Sequence, residues 1–408
     1  MVAAIPMKPA PELPIEIRVG GPLDSVKIKP LPPYSEPAVL FLAELSKKLL
    51  SLHAIRTFPD VAAFAYWCRA ANLARMAREF NHANKRIGRG LVLHIAPGNV
   101  PVNFAFSLAF GILSGNANIV RMPEAKSPQS EFLCDAIAEL FAQPAHEGIA
   151  ARNRLVRYAR NDEITAALSS HCQARVIWGG DNTVAHIRSL PSPPRCVDIT
   201  FADRYSFCAI GAQAVLDADA ESLRNLATGF YNDAYLMDQN ACSSPHLVVW
   251  IGGEPEVSQA MDKFWNSVGH IVSERYPLQP IHAVDKLMQA SRAAINFSGA
   301  LAFSCLENLI YRIRLPELNL NTENLRGQFG LFYEFVANDL NWLHSILTDR
   351  CQTLTVFGLD QQQIADEIIN NGLLGIDRIV SIGKALDIGV IWDGYDVVAS
   401  LSRTIGIS

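Results

Sequence analysis

Residues 91–122 read LVLHIAPGNVPVNFAFSLAFGILSGNANIVRM. Residues 91–96 are a short apolar run bounded by Gly90 and Pro97, which is the pattern of a buried strand. Pro97-Gly98-Asn99-Val100-Pro101 interrupts it as a turn. Pro101 suits the first turn of a helix, and Gly115 suits the position just past its end. Residues 118–122 form a second apolar run. Strand, turn, helix and strand in this order predict two parallel strands joined by a right-handed crossover.

The same alternation continues outward. Helical spacing is predicted at 130–141, 162–170 and 183–190, and strands at 155–158, 175–178 and 197–202. Such a sheet binds ligands at the carboxyl ends of its strands. The turns at 97–101 and 179–183 both fall at such ends. Upstream, residues 1–37 are Pro-rich and irregular, and helices are predicted at 37–52 and 60–80. A second α/β unit begins near Ser206. Its predicted strands are SFCAIG, 246–252, 306–313, 353–358 and 378–383, and its predicted helices are 220–231, 255–268, 283–295 and 361–370. Residues 331–347 mix both signals. The expected domains are 1–205, 206–375 and a C-terminal segment, 376–408.

Composition bounds the function. The chain has 408 residues, of which 50% are hydrophobic and 18% charged, a balance suited to a well-buried enzyme and unsuited to a disordered chain. Its 35 Lys and Arg against 40 Asp and Glu give a formal charge of −5, with no basic block to hold nucleic acid. The longest apolar stretch, 100–113, is interrupted by Asn103 and Ser107 and is too short to span a bilayer. The first residues lack a basic segment followed by an apolar one, so no signal peptide is expected. The 8 cysteines contain no C-x-x-C pair and no His at metal-ligand spacing, which argues against structural zinc. A reducing, cytoplasmic setting is expected, with most thiols buried as small hydrophobes.

Four segments carry chemistry. Met237-Asp238-Gln239-Asn240-Ala241-Cys242-Ser243-Ser244-Pro245 is a small polar loop between a predicted helix and strand. A cysteine there can meet substrate, and nearby backbone N–H groups favour a thiolate and an oxyanion. The alternative is a buried structural thiol, as Cys208 in SFCAI is expected to be. Asn99, at a strand end before a helix, can donate its amide to an oxyanion, or can be an ordinary turn residue. Gly179, Gly180 and Thr183 lie in a turn that lets the backbone approach a phosphate or ribose, although it is neither G-x-G-x-x-G nor a P-loop. Arg121, Glu124 and Lys126, delivered by a strand into a loop, can grip a ribose or its 2′-phosphate, or simply form a solvated loop of mixed charge.

Taken in order, these segments resemble the aldehyde dehydrogenase superfamily. They are most similar to its fatty acyl-CoA reductase branch, the reductase component of the bacterial bioluminescence system. P-G-N-V-P resembles P-W-N-x-P, with Asn99 at the oxyanion position. G-N-A-N-I-V-R-M-P-E-A-K-S-P is similar to the cofactor-ribose segment, and W-G-G-D-N-T-V to the turn F-T-G-S-T-x-x-G. D-Q-N-A-C-S-S-P and the C-terminal R-I-V-S-I-G-K-A-L-D-I-G-V-I-W-D-G-Y-D resemble the branch itself.

The resemblance implies an α/β fold with two Rossmann-like domains, one for cofactor and one catalytic, and a C-terminal return segment. It implies Cys242 as nucleophile and NADP(H) held by Pro97, Gly98, Arg121, Lys126, Ser127, Gly179, Gly180 and Thr183. Glu334 matches a nicotinamide-ribose carboxylate. Either Arg121 or Lys126 fills the ribose-segment lysine's role. The general-base Glu of hydrolytic relatives falls at Phe201, so hydrolytic deacylation should be slow. The implied activity is reduction of a long-chain acyl-CoA to an aldehyde through acyl-Cys242. The acyl group comes from acyl-CoA or from an acyl-protein synthetase or acyltransferase partner, and the protein is a homo-oligomer. The competing expectation is a non-redox acyl carrier or acyltransferase that loads Cys242 and has no need of a dinucleotide site.

Overall fold

The computed structural model describes residues 14–80, 85–296 and 302–407. They form two compact units. The first holds residues up to Ala202 together with 389–391 and 395–408, and the second holds 203–388 with 392–394.

The first unit is built on strands β1 (Glu16–Val19), β2 (Lys85–Gly88), β3 (Leu91–Ile95), β4 (Ala117–Arg121), β5 (Asn153–Arg157), β6 (Ala174–Trp178) and β7 (Val197–Phe201). Its main sheet has the order β1-β5-β4-β3-β6-β7, parallel except for β1 at one edge. The chain winds outward from β3 in both directions, so the order reverses between β3 and β6. Helix Asn103–Leu113 is buried all round, which explains why its sequence is apolar without a polar stripe. Gly115 ends it in the left-handed region (φ 81°), where a Cβ would collide with the Leu31 carbonyl oxygen. The C-terminal return docks here. Ser402–Ile405 pairs antiparallel with β2, and Asn116 Nδ2 donates to the Leu401 carbonyl at 2.8 Å.

The second unit contains β8 (Tyr205–Gly211), β9 (Pro245–Ile251), β10 (Ala302–Leu306), β11 (Ile310–Arg314), β12 (Leu331–Ala337), β13 (Cys351–Phe357) and β14 (Arg378–Ser381). Their order is β10-β11-β12-β9-β8-β13-β14, with only β10 antiparallel. Alternate residues serve opposite faces. Cys208, Ile210, Val248, Trp250 and Phe332 pack into one core, while Phe207, Ala209, Leu247, Val249 and Tyr333 pack into another. Both faces are covered, so the strands read as nearly continuous apolar runs.

The α/β class and the aldehyde-dehydrogenase-like pattern of two parallel-stranded sheets are as the sequence implied. Several local expectations change. The single helix over 60–80 is two, Pro59–Trp67 and Ala70–Glu79, because Arg69 is extended and Asn72 caps the Trp67 carbonyl at 2.7 Å. The strand over 306–313 is a hairpin, turned by Glu307 in the left-handed region (φ 50°). The Pro-rich N-terminal region contributes β1. Residues 376–388 belong with the second unit because β14 pairs with β13, so the return starts at Gly389 rather than at 376.

One buried ion pair ties the first sheet to the helix that follows Gly180. Arg175 on β6 is 1% exposed and bonds both oxygens of Asp198 on β7 at 2.7 Å. It also donates to the carbonyls of Ile187 and Leu190 at the end of helix Asp181–Ser189. Arg175→Met should lower stability by about 3 kcal/mol, because it leaves Asp198 and two carbonyls without their donor. Urea unfolding of the two proteins measures this, and a change below about 1 kcal/mol contradicts it.

Candidate active site

A cavity of about 430 Å³ opens at the carboxyl ends of β3, β4 and β6, beside the point where the strand order reverses. Pro97, Gly98, Asn99, Arg121, Gly179, Gly180 and Thr183 all line it. These residues come from three separate predicted segments, and the fold brings them to one place. A Cβ built on Gly98 or Gly180 meets nothing within 4 Å, so both open into space. Asn99 is exposed and makes no hydrogen bond among the described residues.

Trp178 forms part of the wall and stacks on Phe201, with ring centroids 3.7 Å apart. A buried polar chain fixes it. Trp178 Nε1 donates to Ser107 Oγ at 3.0 Å, and Ser107 lies 2.8 Å from His94 Nδ1. His94 Nε2 lies 3.0 Å from Asn118 Oδ1. Asn118 spends its amide on Asn116 O and Asn153 Oδ1, so its oxygen is the acceptor and His94 carries its proton on Nε2. Burial pushes His94 down to about 4, which keeps the imidazole neutral and this pattern intact.

The cavity is cationic. The Arg121 guanidinium lies over the Tyr158 ring at 4.9 Å, and its Nε is buried with no hydrogen-bond partner. Arg160 also lines the cavity, is exposed, and makes no ion pair among the described residues. Asp162, the carboxylate of the lining, pairs with His186 at 2.8 Å. Arg160 was missed in the sequence, although it follows the end of β5 much as Arg121 ends β4.

Two expected cofactor ligands lie outside this cavity. Lys126 is exposed and sits 3.6 Å from Glu16. Ser127 caps helix Pro128–Phe141, accepting from the Ser130 backbone N–H at 3.1 Å. The Pro after Ser127 starts that helix and commits the hydroxyl to its end. Between the two candidates for the ribose-segment cation, the structure puts Arg121 in the cavity.

Glu334 is also displaced from its expected role. It lies on β12 and is 2% exposed. Its Oε1 accepts from Trp265 Nε1 at 2.6 Å and Trp250 Nε1 at 3.0 Å, and Arg312 is 3.7 Å from Oε2. No ribose can reach a carboxyl enclosed by two indoles. The residue pattern on β12 explains it, since Glu334 shares a face with Phe332.

Cys242 lies in the second unit, at the amino ends of β8, β9 and β13. Its loop leaves helix Ala220–Ala234 through two consecutive left-handed residues, Asp238 (φ 51°) and Gln239 (φ 59°). Such strain persists only where the surroundings enforce it. Buried Gln239 does so, donating to Pro245 O and Leu331 O and accepting from Gly330 N. Ser244 Oγ donates to Asp233 O at 2.7 Å, and Ser206 Oγ donates to Cys242 O at 2.6 Å. The backbone is therefore fixed while Cys242 itself stays partly exposed.

The sulfur accepts from Gln352 Nε2 at 3.3 Å, and the same nitrogen bonds Asp393 Oδ1. The expectation that the loop's backbone N–H groups favour a thiolate holds in direction, since the Cys242 N–H acts to lower the ionisation pH, but larger influences oppose it. Enclosure by protein, then the negative charge of Asp393, push the thiol up to about 11, outweighing the Gln352 bond, Arg204 and the loop's own N–H. Cys208 is fully buried in a core, as expected of a structural thiol. Gln352 carries no signal in the sequence, and Asp393 lies in the C-terminal segment that resembles the reductase branch without any sign there that it faces Cys242.

The fold is that of aldehyde dehydrogenases. A methylmalonate-semialdehyde dehydrogenase from Oceanimonas doudoroffii superposes with a TM-score of 0.61 at 13% identity, covering 92% of this chain and 87% of that one. A putative methylmalonate-semialdehyde dehydrogenase from Sinorhizobium meliloti, solved with NAD, gives 0.60 at 14%, covering 90% and 83%. Within that class, residues 68–404 match the family model described as Acyl-CoA reductase (LuxC), and the chain belongs to this family. A long-chain acyl-protein thioester reductase of Vibrio harveyi is 31% identical over 172 residues, covering 41% of this chain and 33% of that protein. A long-chain acyl-protein thioester reductase 2 of Photobacterium leiognathi is 23% identical over 255 residues, covering 60% and 47%. The chain thus spans between a third and a half of the length of these curated relatives.

Thiol reactivity tests the site's electrostatics. Exposed Cys305 should be the first cysteine alkylated at neutral pH. Cys242 should lag and gain rate about tenfold per pH unit as pH rises toward its midpoint. Peptide mass spectrometry after timed iodoacetamide treatment reads both. Cys242 labelling first, with a flat pH profile, would contradict a protonated resting thiol.

Proposed function

We propose that the protein reduces a long-chain acyl thioester to the aldehyde, using Cys242 as nucleophile and NADPH as reductant. The observation that carries this reading is the cavity uniting Pro97–Asn99, Arg121 and Gly179–Thr183 at a strand switch point in a chain of the acyl-CoA reductase family. A non-redox acyl carrier has no use for such a site.

The residues of the first unit fit a nicotinamide dinucleotide. The open Gly98 and Gly180 let backbone approach a ligand, and the unpartnered Nε of Arg121 with the unpaired Arg160 suits a phosphate. The two guanidinium groups favour the cofactor that carries the extra 2′-phosphate. When bound, a reduced nicotinamide supplies the hydride that takes the acyl group to the aldehyde level.

The protein's own part begins with the Cys242 sulfur attacking the thioester carbonyl. The thiol proton ends on the departing thiol, leaving acyl-Cys242. The Cys242 backbone N–H is the proposed oxyanion donor within its own loop, and the oxyanion role of Asn99 is the one the family resemblance implies. Phe201 stands where hydrolytic relatives keep a general base, so the acyl-enzyme survives against water. Aldehyde release leaves the Cys242 thiolate, which takes a proton from solvent to restore the thiol. The relatives named for acyl-protein thioesters support delivery by a partner protein as well as by CoA. The absence of a C-x-x-C pair in the sequence supports the reading of a reducing, cytoplasmic setting.

The test is anaerobic incubation with NADPH or NADH and a panel of acyl-CoAs, following nicotinamide oxidation and trapping aldehyde. Cys242→Ser should abolish aldehyde formation and acyl labelling together. Arg160→Ala should raise the KM for NADPH roughly tenfold while leaving that for NADH nearly unchanged. Acylation of Cys242 with no oxidation of either cofactor would favour the carrier reading instead.

A further inference from the structure

We propose that Gln352 is a positioning residue that holds the Cys242 sulfur with one amide hydrogen and tethers the Asp393 carboxylate beside it with the other. The consequence for catalysis rests on Cys242 being the nucleophile, but the geometry and its test do not.

Gln352 is the second residue of β13 and is 0% exposed. Its Nε2 has two hydrogens. One points to Cys242 Sγ and the other to Asp393 Oδ1. The Thr353 hydroxyl donates to its Oε1 at 3.2 Å, which fixes the amide's orientation. The reverse orientation would set the amide oxygen against a carboxylate.

Asp393 is 7% exposed and sits in a tight turn with Gly394, both left-handed (φ 47° and 73°). Burial raises its carboxyl to about 6, so it is largely ionised at neutral pH. Arg204, Arg378 and Asp377 are the charged groups that face it. The two arginines are engaged elsewhere. Arg204 bonds Asp377 and the carbonyls of Arg350 and Cys351. Arg378 bonds the carbonyls of Lys384, Ala385 and Asp387 and lies over the Trp392 ring at 4.3 Å. The charged groups acting on the sulfur are Asp393, which raises its ionisation pH, and Arg204, which lowers it. Arg378 also interacts with it electrostatically.

The amide therefore plays two parts. It gives the sulfur a hydrogen bond that follows it into the thiolate form, and it keeps the Asp393 carboxylate close by. At neutral pH the pair holds a protonated, aimed thiol. The thiol gives up its proton only as a thioester carbonyl takes the sulfur's electron pair and the leaving thiolate takes the proton.

The experiment is the pH profile of Cys242 alkylation by iodoacetamide in the full chain, from about pH 6 to pH 11, with Cys305 as internal reference. Asp393→Asn should move the Cys242 midpoint down, raising its rate at neutral pH about tenfold, which corresponds to one pH unit. Asp393→Glu should restore the original profile. Gln352→Met should move the midpoint up, through loss of the donor. Cys305 should not respond to any of these. Should Asp393→Asn fail to fold, the Gln352→Met and Asp393→Glu profiles decide. Profiles for Gln352→Met and Asp393→Asn that coincide with the parent overturn the proposal. A shifted profile in a protein with no reductase activity overturns the proposed function and leaves this inference standing.

Discussion

A parallel sheet must be covered on both faces, and the rest of this structure follows from that constraint. Polar chemistry can then appear only where strands end. In the first unit the opening lies at the carboxyl ends, where the order reverses between β3 and β6. In the second, the thiol lies at the amino ends of β8, β9 and β13. Polar groups trapped between the faces must find partners within the protein. His94 with Ser107 and Asn118, Arg175 with Asp198, and Glu334 with two indoles all do so.

The two sites differ in their electrostatics for the same reason. The cavity of the first unit gathers two guanidinium groups that make no ion pair among the described residues, which suits an anionic ligand. The thiol of the second has a carboxylate one amide away. A thiol kept protonated at rest is shielded from adventitious alkylation and oxidation, because the thiolate is the reactive form. Under the proposed reading, reactivity is released by the acyl donor rather than stored in the free protein.

Much of the fold was legible. The runs around Leu91, Ile119 and Val176 are buried strands because both faces are covered, and Pro97 and Gly179 mark their ends. The glycines and Asn99 were readable as a ligand-side cluster. Lys126 and Ser127 were misread because a charge and a hydroxyl near a strand end look alike whether they face a ligand, an ion-pair partner or a helix terminus. Glu334 was misread because a glutamate in an apolar run signals burial or function equally. Only the positions of Trp250 and Trp265, far along the chain, decide between them.

The sequence by itself determined the α/β class, the order of elements and the place of Cys242 in a loop between helix and strand, because these follow from local periodicity, turn chemistry and the pattern of apolar residues. Only the tertiary structure decided which cation lines the cavity, where Glu334 points, and which charged groups surround the Cys242 thiol. Those depend on distances between groups remote in sequence. Charge and desolvation act through space, and the chain's order does not record which residues the fold will bring within hydrogen-bonding reach.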